Sequence, residues 1–100
     1  MAEKWKPEEM DALIRAILSL ETPEECAAFF EDLCTIRELK DISQRLEVAQ
    51  LLDAGFNYQE VAAKTGVSST TISRVKRSLK YGSDGYAMVF SRMKRGDGSK

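Results

Sequence analysis

Apolar residues recur every three or four positions from Met10 to Met93 and seldom alternate, which predicts helices and no sheet. Met10, Leu13, Ile14, Ile17 and Leu18 form the first stripe. In front of it, Lys6-Pro7-Glu8-Glu9 sets proline at a first helical position with acids in the first turn, so a helix is expected over about 7–20. Thr22-Pro23-Glu24-Glu25 repeats the device, with Thr22 as cap and Glu25 completing a capping box ahead of a buried stripe of Cys26, Phe29, Phe30 and Leu33. Thr35-Ile36-Arg37-Glu38 opens a third and longest helix, about 19 residues, which carries Leu39, Ile42, Leu46, Ala49 and Leu52 and stops at Gly55. Val48 and Leu51 add apolar surface off that stripe, so this helix is expected to face its own core and a second subunit.

Beyond Gly55 the signals crowd together. Asn57-Tyr58-Gln59-Glu60 is another capping box, its helix lasts to Lys64 or Thr65, Gly66 ends it, and Ser68 or Ser69 caps a helix running through Tyr81 to Gly82. Ser83–Lys94 reads as a weaker helix with Tyr86, Met88, Val89, Phe90 and Met93 apolar. The expected organisation is one domain over 1–95 and a frayed tail over 96–100.

Composition changes this picture mainly by what it excludes. An apolar share of 43% over 100 residues supports a single core. No run approaches the roughly 18 to 20 apolar residues of a membrane span, and MAEKWKPEEMDAL is too charged for a signal peptide, so a cytoplasmic protein is expected. Cys26 and Cys34, eight apart, are expected on one helix face as small buried hydrophobes. There is no histidine and no C-x-x-C, and therefore no expected metal site. Charge is more telling once divided. Residues 1–60 hold 6 Lys/Arg against 14 Asp/Glu, a balance of −8, while 61–100 hold 9 Lys/Arg against Asp84 and Asp97, a balance of +7; together they make the net −1. Such a dipole suits a chain of which one end meets a polyanion.

The basic end coincides with a helix-turn-helix pattern over about 57–81. Val61 and Ala62 supply the apolar and small positions of the first helix, Gly66 opens the turn, Val67 follows, and Ile72 and Val75 face inward from the second. The outward face of that second helix shows Ser69, Thr70, Ser73, Arg74, Lys76, Arg77 and Lys80, and the helix contains no acid. Short hydroxyl residues, with Ser68 and Thr71 among them, let a helix end approach bases and phosphates, while the cations neutralise the backbone, with the helix about 69–81 reading the major groove of double-stranded DNA. A solvated basic helix without a partner is the plainer alternative.

The stretch LCTIRELKDISQRLEVAQLLDAGFNYQEVAAKTGVSSTTISRVKRSLKYG resembles the core of the Trp repressor superfamily, and roughly 8–95 is similar to its YerC/YecD-like branch of small bacterial proteins. That resemblance implies an all-α fold of six helices and an intertwined homodimer built from the first three helices and the last, presenting two helix-turn-helix heads. In the Trp repressor a corepressor lies between dimer core and reading head. The resemblance places Thr35, Arg45, Arg74 and Ser78 at positions of that effector pocket, with residue types that suit an amino acid. Val75 stands where the repressor has glycine, which argues against tryptophan as effector; another small effector, or none, is left open, and no cofactor is expected. Arg45 has an equally simple reading as a partner of Asp41 or Glu38 one turn earlier. Gln59 replaces an arginine that pairs with guanine, and its amide suits adenine better.

The leading expectation is a dimeric, sequence-specific DNA-binding transcriptional regulator, with repression the expected direction. The alternative is a helical protein-interaction module that docks through the acidic half and keeps the motif as scaffold. An enzyme is not expected, because there is no histidine, no glycine-rich phosphate loop and no nucleophile beside a base.

Overall fold

A computed structural model describes the backbone of residues 6–98 and the side chains of 6–95. Six helices occur among the described residues: α1 (Pro7–Leu18), α2 (Pro23–Leu33), α3 (Ile36–Asp53), α4 (Tyr58–Thr65), α5 (Ser69–Tyr81) and α6 (Gly85–Gly98). The chain divides into two compact units, one up to Leu39 and one from Lys40.

In the first unit the start signals act much as their chemistry requires. The Thr22 hydroxyl accepts the Glu25 N–H at 3.1 Å, while the Glu25 carboxylate accepts the N–H of Glu21, one residue ahead of the expected Thr22 amide. At α3 the box closes fully: the Thr35 N–H donates to Glu38 Oε1 at 2.8 Å and the Glu38 N–H to Thr35 Oγ1 at 3.1 Å. α1 ends two residues earlier than expected, at Leu18, and the Ser19 hydroxyl at its C-cap donates to the Ala16 carbonyl.

The expected buried stripe of α2 is not closed within the chain. Phe29 and Phe30 are half-buried and meet edge to face at 5.5 Å, but Cys26 and Leu33 are exposed. Cys34 is half-buried and lies past the helix end in extended backbone, so the two cysteines do not share a helix face. Neither α1 nor α2 contains a buried residue.

The second unit holds the core. Val48 and Ala49 of α3, Val61 of α4, Ile72 and Val75 of α5 and Phe90 of α6 form one buried cluster, with Leu51, Leu52, Phe56, Ala62, Val67, Leu79 and Tyr86 packed on it. The long helix is closed at its C-terminal half, where residues of the main stripe and off it are covered alike, and open before that. Val48 is fully buried and Leu51 packs against the core, whereas Ile42 remains 48% exposed and Leu46 is open as well. The end of α3 sits among three further helices, and a side chain enclosed from several directions is covered whatever its place in the sequence stripe. α3 closes with a Schellman pair, Phe56 N–H to the Leu51 carbonyl and Gly55 N–H to that of Leu52.

α6 starts at Gly85, two residues later than expected, after Asp84 takes a left-handed φ of 64°. Its backbone is helical through Gly98; the expected frayed tail falls at the limit of the described residues, with 99 and 100 and the side chains of 96–98 outside them. Tyr86 stacks on Phe90 one turn along the same helix at 5.8 Å, and the buried Phe90 holds α6 to the core. No described helix is long and apolar enough to cross a membrane.

Candidate nucleic-acid interface

α4 begins with a complete capping box, Asn57 N–H to Glu60 Oε1 at 2.8 Å and Glu60 N–H to Asn57 Oδ1 at 2.9 Å. It ends on Gly66, whose φ of 74° lets the chain leave the helix without the strain a Cβ would impose. Thr65 ties the turn together, donating to the Val61 carbonyl at 2.8 Å and accepting the Val67 N–H at 3.2 Å. Ser68 then caps α5, its hydroxyl accepting the Thr71 N–H at 3.2 Å and donating to the Thr71 hydroxyl. At the far end a Cβ on Gly82 would collide with the Ser78 carbonyl.

α4 and α5 pack through Val61, Ala62, Val67, Ile72 and Val75, all buried or half-buried. That packing decides what α5 shows outside. Ser69, Thr70, Ser73, Arg74, Lys76, Arg77 and Lys80 are all exposed. The hydroxyls of Ser69 and Thr70 make no hydrogen bond among the described residues, so both are available at the helix start. Gln59 is also exposed, in the first turn of α4. Ser68 and Thr71 are placed differently: the first is committed to the cap, and the second is half-buried.

Ser73, Lys76, Arg77, Lys80 and Tyr81 border one shallow depression of about 300 Å³. Tyr81 was not among the residues expected here from sequence, where it only marks the helix end. Its spacing, four after Arg77 and eight after Ser73, was the available signal.

The four positions of the candidate effector pocket divide. Arg45 and Arg74 come together in a polar cleft of about 200 Å³ with Asp41, Gln44 and Thr71. Ser78 borders another depression, about 560 Å³ and mostly apolar, with Leu46, Tyr86, Met88 and Val89. Thr35 belongs to the first unit, where its hydroxyl and amide are taken by Glu38. The simple pairing of Arg45 is absent among the described residues: the cross-helix ion pair there joins Lys94 to Asp53 at 3.3 Å, and Glu38 is engaged with Thr35. Val75 is 2% exposed and spends its side chain on the core.

An all-α chain with a capped helix-turn-helix whose second helix carries no acid fits the helix-turn-helix class of DNA-binding regulators. The family described as Trp repressor protein matches residues 8–94, and the chain belongs to it. It is 50% identical over 92 residues to the uncharacterized protein YerC of Bacillus subtilis (strain 168), covering 92% of this chain and 88% of that one. The crystal structure of a candidate Trp repressor from Staphylococcus aureus superposes with a TM-score of 0.87 at 48% identity, covering 92% of each chain. That of a TrpR-like protein from Eubacterium eligens ATCC 27750 gives 0.86 at 50% identity, covering 92% of this chain and 95% of the other.

Proposed function

We propose that this protein is a sequence-specific regulator that binds double-stranded DNA as a homodimer and represses by occupying its site, with residues 1–95 working as one DNA-binding domain. The observation that carries the reading is the α5 surface, where Arg74, Lys76, Arg77 and Lys80 stand exposed beside the open hydroxyls of Ser69 and Thr70 on a helix without an acid. The hydroxyl end suits base edges, and the cations suit phosphates. Gln59 adds an amide from the start of α4 that favours adenine. Dimerisation is supported by the apolar surface left open on a chain this short: Leu18, Leu33 and Ile36 are each more than half exposed, and Ile14 and Ile17 are exposed with them.

DNA recognition here needs no indole. The cleft holding Arg45 and Arg74 offers donors for a carboxylate, but its five lining residues are polar and provide no apolar wall for a ring. Addition of millimolar tryptophan is expected to leave the binding curve unchanged.

Selection from random duplexes followed by titration at two salt concentrations tests the proposal. Tight binding to the selected duplex that weakens steeply with salt is the expected result. Thr70→Ala should then shift preference at one or two base positions, by about 1–3 kcal/mol each. An interaction module that uses the acidic half would bind no duplex at either salt concentration.

A further inference from the structure

Tyr81 is 75% exposed at the last position of α5, in contrast with Tyr86, which packs half-buried against the core. It borders the same depression as Ser73, Lys76, Arg77 and Lys80, and the Lys80 ammonium lies 5.8 Å from its ring centroid. An aromatic ring carrying a hydroxyl donor thus stands exposed among the cations of α5. Helix geometry says what it can reach. Thr70 and Tyr81 are eleven residues apart, about 16 Å along the axis at ~1.5 Å per residue. In the helix-turn-helix mode the N-terminal residues of the second helix contact base edges, so with Thr70 over bases the Tyr81 end lies about three turns beyond them, on the side of the phosphate backbone.

We propose that Tyr81 is a DNA-backbone contact: its phenol donates a hydrogen bond to a phosphate oxygen, and Lys80 neutralises the same stretch of backbone. This rests on the DNA-binding reading above and adds to it a sequence-independent backbone contact at the far end of α5. A phenol carries no charge, so its contact releases no counterion and leaves the salt dependence alone. Lys80 acts in the opposite way. Removing one neutralised phosphate lowers the slope of log K against log salt by about 0.9. The pair therefore has a signature that neither a purely structural tyrosine nor a base-reading one would reproduce.

The experiment compares wild type, Tyr81→Phe and Lys80→Ala on a duplex obtained by selection and on a random-sequence duplex, each across a salt series, with solution mass measured in parallel. Tyr81→Phe keeps the ring and is expected to lose about tenfold in affinity on both duplexes, with parallel salt lines and unchanged mass. Lys80→Ala should flatten the line by about 0.9. Tyr81→Phe binding equal to wild type on both duplexes would overturn the assignment, as would a change in base preference or a change in mass. A wild-type protein that binds no duplex would overturn the DNA-binding reading itself, an outcome distinct from a tyrosine variant indistinguishable from a wild type that binds.

Discussion

The helices before Leu39 and those after Lys40 both carry apolar stripes, but only the second set closes over them. α1 and α2 bury no residue, and Leu18, Leu33 and Ile36 are largely exposed, whereas α3 to α6 enclose Val48, Ala49, Val61, Ile72, Val75 and Phe90. Capping does not account for the difference, since Thr22 and Thr35 cap as competently as Asn57 and Ser68. What differs is the number of elements around each side chain. A helix pair can cover one seam, while four helices meeting at one point can surround a valine. Each large aliphatic side chain fully buried gains about 1.5–3 kcal/mol over an exposed one, a gain the second unit makes and the first, with its apolar surface open, does not. Charge follows the same division, with −8 over residues 1–60 and +7 over 61–100. In the proposed dimer an acidic body repels the duplex while the basic heads meet it.

The contrast can be broken most forcefully in the core. Ile72→Ala should cost about 2–5 kcal/mol in a urea titration, because the cavity opens among residues that cannot collapse into it. The corresponding change on the open surface should act on assembly instead. Ile17→Asp combined with Leu18→Asp is expected to reduce the sedimentation mass at micromolar concentration to that of one chain, while a helical spectrum is retained. On the basic face, Arg77→Ala should weaken binding about tenfold on every duplex sequence and lower the salt slope by about 0.9, with urea stability unchanged. Binding that remained as steeply salt-dependent as wild type would show that this arginine touches no phosphate. Smallest is Ser68→Ala, which removes the α5 cap at about 1 kcal/mol in thermal melting and leaves base preference as it was. A changed preference would give Ser68 a place in reading as well as in capping.

Much of this molecule was legible in its sequence because its helix signals are local. Proline at a first turn, a threonine or asparagine three residues ahead of a glutamate, and glycine after the last stripe residue all act within five positions. The observed boundaries of α2, α3, α4 and α5 follow them closely. The left-handed turn at Asp84 was not legible, since an aspartate in that region looks no different in sequence from one in a helix, and α6 accordingly begins at Gly85. The two faces of α3 were legible as two faces, but not as to which of them the chain covers. Val48 and Leu51 were readable only as apolar surface off the main stripe, whereas the meeting of α4, α5 and α6 at that end of α3 buries Val48, half-buries Leu51 and leaves Ile42 and Leu46 open. On the candidate interface, the exposed cations were readable from helical spacing; the involvement of Thr71 with the Ser68 cap, and the place of Ser78 beside the apolar Leu46, Tyr86, Met88 and Val89, were not.

By itself the sequence determined the helices, the turn between α4 and α5, and the one-sided charge, because capping, glycine conformation and side-chain charge act over a few residues or none. Tertiary structure alone decided which apolar faces are spent and which are open. It also committed Val75 to the core, because burial depends on neighbours brought from distant parts of the chain.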